Sequence, residues 1–514
     1  MIRPRFGPTP GPTLATPAVA ITIVGGGFSG ACAAVQLVRR SSRPLAITLI
    51  EPRAELGRGL AYSATDPDHR LNATTMSHAM LPDEPLHFAD WCTQQRIFES
   101  DPQARLPNGA AFVRRADYGR YLADTVRAHA HWPANGSRIV HHRGEAVAAQ
   151  TQPGAQGALV ETLTDSGAVL RSHMLVLTTG NALPKLQPPF DPALAEHPSV
   201  LANPLDSARL QRIPNNARVL VVGSGLTALD VASTLLRQGH SGGITVVSRR
   251  GLRPRPQAPE VLADPVPGVA PSAGPTPLVR LLAELPPFMV EAARQPSALG
   301  WSRALRARMA ELQAQGAGWQ AGFDELRDVV WRAWPLLPPA QQRRFLRRLR
   351  TWYDVHRFRS PPMNDRLVDE GVSQGRIAFR AARVRHVQAL QGSHQLAVGL
   401  SDPGQHAVRS ERFDAVINCS GLDPSGGVRA HPLLRKLQGQ GWLQPDACGL
   451  GFAVDAHCRA IGADGQSQPW LRLFGPPTAG SFGDPLGAVF IAVQIYRALP
   501  DMLSTLARWP GYVD

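Results

Sequence analysis

The apolar positions of this chain come in short runs broken by glycine, and two of these runs repeat one another. Residues 21 to 35, ITIVGGGFSGACAAV, and residues 219 to 232, VLVVGSGLTALDVA, each read as an apolar strand, a glycine turn and an Ala-rich stretch with helical spacing. A second apolar run follows each unit after one helix length, ITLIEPR ending at Arg53 and ITVVSRRG ending at Gly251. Two further runs end on small residues, HMLVLTTGN (173–181) and FDAVINCSG (413–421), a pattern that lets the backbone pass close to a bound molecule. Residues 252–300 are proline-rich, whereas 301–360 carry helical spacing through Leu305, Met309 and Leu312, then Phe323, Leu326, Val330 and Trp334. The prediction is an α/β chain with two Rossmann-like dinucleotide-binding domains of three-layer ββα/βαβ type and an inserted helical subdomain. One domain takes residues 19–205 and 416–514. The other takes 206–415, with the insert at about 270–360, and residues 1–18 read as a flexible leader.

The glycine spacing has a chemical reason. In GxGxxG the first glycine makes a tight turn and the second lets backbone approach a pyrophosphate at a helix N-terminus. The third position must be small for helix and strand to pack, and here it is Gly30 in one copy and Ala228 in the other. Gly25, Gly27, Phe28, Ser29 and Gly30 are thus the first cradle, and Gly223, Gly225, Leu226 and Thr227 the second. Glu51, at the end of the next strand, is placed to accept hydrogen bonds from a ribose. The matching position of the second unit offers Ser248, Arg249 and Arg250, which suit a 2′-phosphate because a guanidinium can pair with it bidentately.

Other candidates are less patterned. The turn-rich segment after Glu51 holds Arg58, Gly59, Asn72 and His87; Gly180 ends the third strand; Gly475, Asp484 and Gly487 lie in the closing strand, loop and helix start. The run RRFLRRLRTWYDVHRFR offers Arg347, Asp354, His356 and Arg357 as substrate candidates, the last three projecting toward the cofactor cleft, where the basic side chains would meet a substrate carboxylate.

Composition changes this picture little. At 514 residues the chain exceeds one ordinary domain. A net charge of +14 raises a nucleic-acid reading, but no zinc-finger or RNA-recognition signature accompanies it, and anionic cofactors and an acidic substrate account for part of the excess. The five cysteines form no CxxC pair, which removes the dithiol of a disulfide reductase and fits a reducing cytoplasm. No His/Cys set has metal-ligand spacing, and no run reaches membrane-span length.

The segments VGGGFSG, GRGLAYSATDPDHRLNA, HFADWC, VLVVGSGLTALDVA, RRFLRRLRTWYDVHRFRSPP and LFGPPTAGSFGD resemble a bacterial FAD/NAD(P)-binding oxidoreductase family, from about residue 19 to 495. The two-domain plan is similar to class B flavin monooxygenases and to the amino-acid and diamine N-hydroxylases. The class B monooxygenase fingerprint, Phe-x-Gly leading to His, is here PPFDPALAEHPSV, which keeps Phe190 and His197 but lacks the glycine; the N-hydroxylases lack a strong version of it too. The resemblance implies FAD in the first cradle, NADPH in the second, molecular oxygen as co-substrate and a flavin C4a-hydroperoxide as oxidant. Basic residues in the insert suggest an anionic amino acid such as aspartate as the N-hydroxylated substrate. The alternatives are an NADPH-dependent flavin reductase without oxygen insertion, and a non-catalytic nucleotide-binding sensor or scaffold.

Overall fold

The computed structural model describes residues 19–67, 69–154, 157–181, 184–258, 275–421, 431–483 and 487–509. The leader and Asp484 lie outside these residues. Strand β1 (Val19–Val24), helix α1 (Phe28–Arg40), strand β2 (Leu45–Ile50) and strand β3 (Met174–Leu177) form the heart of the first sheet. β1 lies between β2 and β3, parallel to both, with Val24 opposite Ile50 and Leu177. Ser137–His142 extends the sheet beyond β2, and Ser467–Leu473 extends it beyond β3, so the chain returns to its first domain at the end.

β1 and β2 are Ile/Val/Leu-rich because both faces of a parallel sheet are covered. α1 covers one face with Ala31, Cys32, Ala33 and Ala34, all fully buried, and such small side chains let it lie close to the strands. Burial pushes the Cys32 thiol up to about 12, so it fills space and has no thiolate character. The last helix, α4 (Ala488–Ala507), packs beside α1, where Gln36 Nε2 donates to Ala492 O at 3.1 Å.

The second domain repeats the plan with β4 (Val219–Val222), α2 (Leu226–Arg237), β5 (Ile244–Ser248) and β6 (Ala415–Asn418). β4 lies between β5 and β6, with Val222 opposite Val247 and Asn418. Each domain also carries a three-stranded antiparallel meander, 146–172 in the first and 383–413 in the second. Each meander feeds directly into the third strand of its Rossmann unit, β3 or β6, which makes both domains three-layered as the sequence implies. Val200–Leu201 and β6 both pair in the second sheet. The chain therefore enters the second sheet between β3 and Val200 and leaves it beyond Asn418. The apolar runs mark the strands, but sheet membership is settled by pairing.

The insert is helical from Pro277 to Arg357; its own core includes Met289, Trp301, Leu326, Trp334 and Leu337. A third helix, α3 (Ala298–Ala314), is its longest. The insert leaves the second domain and docks on the first: Trp334 Nε1 donates to Gly480 O at 2.8 Å, and the Arg497 guanidinium of α4 lies 3.4 Å from the Trp331 ring centroid. Burial there lowers the Arg497 pKa to about 10.

Candidate functional site

Between the two sheets lies a cleft of about 330 Å³ whose wall takes residues from both domains. Gly25, Gly27, Phe28, Ser29, Glu51 and Thr178 come from the first domain, and Thr227, Asn418 and Cys419 from the second. This follows from topology. In both sheets the glycine turn sits at the carboxyl end of a central strand whose neighbours are connected in opposite directions, the switch point where open α/β sheets bind ligands.

The first turn is tightly enclosed. Gly25 has φ +99°, and a Cβ there would overlap the Thr178 carbonyl oxygen. Thr178 Oγ1 lies 2.9 Å from Val24 O and 2.7 Å from Gly25 O, so its hydroxyl fastens the turn to the end of β3. A Cβ on Gly27 would sit 3.3 Å from the Gly59 Cα, which brings the predicted Gly59 (φ +52°) against the cradle. A Cβ on Gly30 would overlap Gly25 O, the packing role the motif assigns to its third position. α1 starts at Gly27 with no side-chain cap, leaving its first amides available to a ligand in the cleft.

Glu51 is 4% exposed and occupies the predicted place at the end of β2. Its Oε2 accepts from Gly26 N at 2.9 Å, and its Oε1 accepts from Arg53 N at 3.1 Å and Arg53 Nη1 at 3.0 Å. Arg53 and Arg58 also line the cleft, Arg58 paired with Glu55 at 2.8 Å. Gly180, φ +69°, lines it too. Gly475 packs against α1, where its Cβ would come 2.7 Å from Ser29 Oγ; Gln494 Oε1 of α4 accepts from its amide at 2.9 Å. Gly487 is the uncapped N-terminus of α4.

The second turn keeps the first glycine's constraint and loosens the others. Gly223 has φ +109°, and a Cβ there would overlap the Cys419 carbonyl oxygen. Around Gly225 the space is open, with nothing within 4 Å of a Cβ, and α2 begins there without a side-chain cap. Leu226 and Thr227 form its first turn, and Thr227 reaches the cleft. Ser248 Oγ accepts from Gly251 N at 3.0 Å, holding the turn after β5, while Arg249 and Arg250 are exposed. The Arg250 guanidinium lies 5.6 Å from the Trp352 ring centroid of the insert.

Several predicted residues stand elsewhere. Asn72 is half-buried, and its backbone carbonyl accepts from Gln257 Nε2 at 3.0 Å in a contact joining the first domain to the segment that follows β5 in the second. None of the four residues from the Arg-rich run lines the cleft, contrary to the expectation that they project into it. Arg347 is exposed on its helix. Asp354 pairs with Arg350 at 2.7 Å. His356 packs against Trp319 (4.8 Å between ring centroids) with Nδ1 2.7 Å from Trp352 O. Arg357 is buried and lies 4.5 Å from the Phe490 ring centroid, and a Cβ on Gly487 would be 3.2 Å from its Nη2. The physical reason is the insert's own core: its helices spend their inward faces on one another, and Arg357 turns to the start of α4.

No motif or periodicity points to Arg115, which lines the cleft and whose Nη2 donates to Asp230 Oδ2 of α2 at 2.6 Å, tying the two domains together. Asn418 was likewise unmarked beyond its place in a strand ending; its Nδ2 donates to Lys185 O at 3.2 Å and Ala202 O at 3.1 Å, clamping the incoming crossing. Tyr62 also lines the cleft, its pKa pushed up to about 12 by burial against the opposing pull of Arg115.

A family model described as FAD-NAD(P)-binding matches residues 22–182. No curated protein matches the chain in sequence. Among solved structures, the fold is similar to an ornithine N-hydroxylase of Kutzneria sp. 744 solved with reduced FAD, NADP+ and L-ornithine (TM-score 0.60, 16% identity, 96% of this chain and 99% of that one). It is also similar to an L-lysine 6-monooxygenase of Pseudomonas syringae (0.59, 18%, 96% and 99%) and to the ornithine hydroxylase of Pseudomonas aeruginosa (0.58, 15%, 95% and 100%). The architecture shared with these structures is one of paired nucleotide-binding folds. Among the described residues no group of three or more His, Cys, Asp or Glu could hold a metal ion, and no helix is long and apolar enough to cross a membrane.

Proposed function

We propose that this chain is an FAD-dependent, NADPH-consuming monooxygenase that N-hydroxylates a small amino acid or amine. The observation that carries the reading is the single cleft lined by the first glycine turn and, from the second domain, by Thr227 of α2 and the strand ending at Asn418 and Cys419. The residues fit the two nucleotides: each cradle has a glycine position that a side chain would fill, and each following helix starts uncapped. In the first cradle, the α1 amides would hold the FAD pyrophosphate and Glu51 the adenosine ribose, with Arg53 and Arg58 near the phosphates. In the second, the α2 amides would hold the NADPH pyrophosphate and Arg249 its 2′-phosphate. Bound there, FAD would accept hydride from NADPH and activate molecular oxygen for transfer to the substrate nitrogen. The apolar wall of Phe28, Leu60, Pro204, Leu205 and Ile491 keeps water from that chemistry, and Arg115–Asp230 holds the two domains in register over it.

The reductase reading is disfavoured in its disulfide form, since the cysteines are unpaired and burial pushes the thiols of Cys32, Cys92, Cys419, Cys448 and Cys458 up. For the substrate, the named neighbours take ornithine and lysine; the insert's basic run does not reach the cleft, so an anionic amino acid such as aspartate stays a candidate only through the cleft-lining Arg53, Arg58 and Arg115. The test is a screen of ornithine, lysine, diamines, aspartate and glutamate for stimulated NADPH and oxygen consumption, with the product identified by mass spectrometry. An added oxygen atom on one amine supports the proposal; stoichiometric hydrogen peroxide with every amine and no oxygenated product overturns it in favour of a reductase or oxidase.

A further inference from the structure

Three of the chain's six tyrosines gather in one cluster that begins at the cleft and runs away from it. Tyr62, on the cleft wall, meets Tyr118 with ring centroids 4.6 Å apart, and Tyr118 stacks on Tyr121 at 5.6 Å. Tyr118 and Tyr121 are three residues apart on the helix Arg115–Ala128, so both present the same face. Both are fully buried, while Phe28 and Phe88 fill the flanks. Filling this volume would need only phenylalanine; each buried hydroxyl adds a desolvation cost that must be met by a partner. Tyr118 Oη donates to His78 O at 2.8 Å. Tyr121 Oη accepts from Met80 N at 3.2 Å and lies 2.8 Å from His87 Nδ1, which accepts the phenolic proton in the tautomer that carries its own proton on Nε2. His87 is half-buried, and burial holds its imidazole pKa below the ordinary value, so the ring is a neutral base at the far end of the cluster.

We infer that Tyr62, Tyr118 and Tyr121 are a relay that drains one-electron oxidising equivalents from the cleft to the Tyr121–His87 pair. A phenol that loses an electron becomes a strong acid, so the hole comes to rest where a base already holds the phenolic proton. Only Tyr121 has a side-chain base in that place. The oxidant is a hydroxyl radical, formed when hydrogen peroxide released by an oxygen-handling flavin site takes one electron from a reduced transition-metal ion in solution and splits off hydroxide; the inference thus rests on the proposed flavin chemistry. The radical gains one electron from Tyr62 and becomes hydroxide. Tyr118 refills Tyr62, Tyr121 refills Tyr118, and the Tyr121 proton passes to His87 Nδ1. The net change is one hydroxide, one neutral Tyr121 radical and one His87 imidazolium, with Tyr62 and Tyr118 restored.

The test uses the full chain loaded with FAD, with excitation of the bound flavin by a light flash as the oxidant. Flavin fluorescence lifetime and transient tyrosyl absorbance are the readouts. The native chain should show quenched flavin fluorescence and a persistent tyrosyl radical. Tyr62→Phe should relieve the quenching and remove the radical. Tyr118→Phe should keep the prompt quenching yet shorten the radical's life about tenfold or more, and His87→Phe should shorten it similarly, each corresponding to a barrier lower by at least about 1.4 kcal/mol for recombination. A second arm needs no flavin: after exposure to peroxide and chelated iron, peptide mapping should find oxidation concentrated at Tyr121 in the native chain and at Tyr62 in Tyr118→Phe. Equal radical lifetimes and identical damage maps in the native chain and Tyr118→Phe would overturn the relay and leave the tyrosines as packing. Failure to take up FAD would instead count against the proposed function, with the peroxide arm still deciding the relay.

Discussion

The two glycine turns share a sequence pattern and a topology, yet the first is closed and the second open. In the first, Gly59 approaches Gly27 across the cradle, Thr178 fastens the turn, and Glu51 is buried in a set of hydrogen bonds. In the second, nothing stands near Gly225, and Arg249 is exposed beside a turn held by Ser248. The difference fits a division of labour in which a resident cofactor is gripped on many sides and an exchanging one is met by a helix end and a surface cation. Only the first glycine of each turn is under the same constraint, with positive φ and a carbonyl oxygen of the neighbouring strand where a Cβ would go.

That shared constraint predicts the largest effect. Gly223→Ala combines a strained φ with overlap on the Cys419 carbonyl and should cost more than about 3 kcal/mol, seen as a lowered thermal midpoint or loss of soluble protein. Gly225→Ala, one turn position away, should leave the midpoint within about 0.5 kcal/mol of native and weaken only NADPH binding. Equal destabilisation by the two would erase the contrast within the second turn.

Acid should separate the domains next. Burial lowers the His78 pKa to about 4, and it lowers those of His87, His129 and His173 in the same domain. A histidine whose folded pKa lies below the unfolded value of about 6.5 binds more protons when unfolded. Stability is therefore full above that value and falls as the pH drops from 6.5 toward 4, by up to about 3 kcal/mol for His78 alone. Flavin release followed by fluorescence should begin in this window, and His78→Gln should flatten the loss. A flavin-loaded native chain equally stable at pH 7 and pH 4.5 would argue against it.

The cofactor contacts give smaller, more selective effects. Glu51→Ala removes a charged acceptor and should lower FAD affinity by about 1.5–3 kcal/mol, read by titration of the apoprotein. Arg249→Ala should raise the Kd for NADPH by about 1–2 kcal/mol and leave NADH within about twofold, since only NADPH has the phosphate. Equal loss for both nucleotides would remove Arg249 from the 2′-phosphate site.

What could be read from the sequence follows from how local each feature is. Strand, glycine turn and helix are contiguous, so VGGGFSG and VVGSGLTA declare themselves, and Glu51 follows one helix and one strand later. Arg115–Asp230 spans 115 residues, and the Tyr62–Tyr118 contact joins a loop to a helix; no periodicity encodes either. The Arg-rich run misled for a related reason. Its charge is evident from composition, but which side of the helix meets solvent depends on the insert's core of Trp301, Trp334 and Leu337.

The central claim is that the paired cradles seat FAD and NADPH close enough to exchange hydride. Mixing the FAD-loaded protein with NADPH under anaerobic conditions in a stopped-flow spectrophotometer tests it most directly. The account predicts bleaching of the oxidised flavin band in a single turnover, faster with NADPH than with NADH and slowed in Arg249→Ala. A flavin that binds stoichiometrically but stays oxidised at saturating NADPH would contradict it.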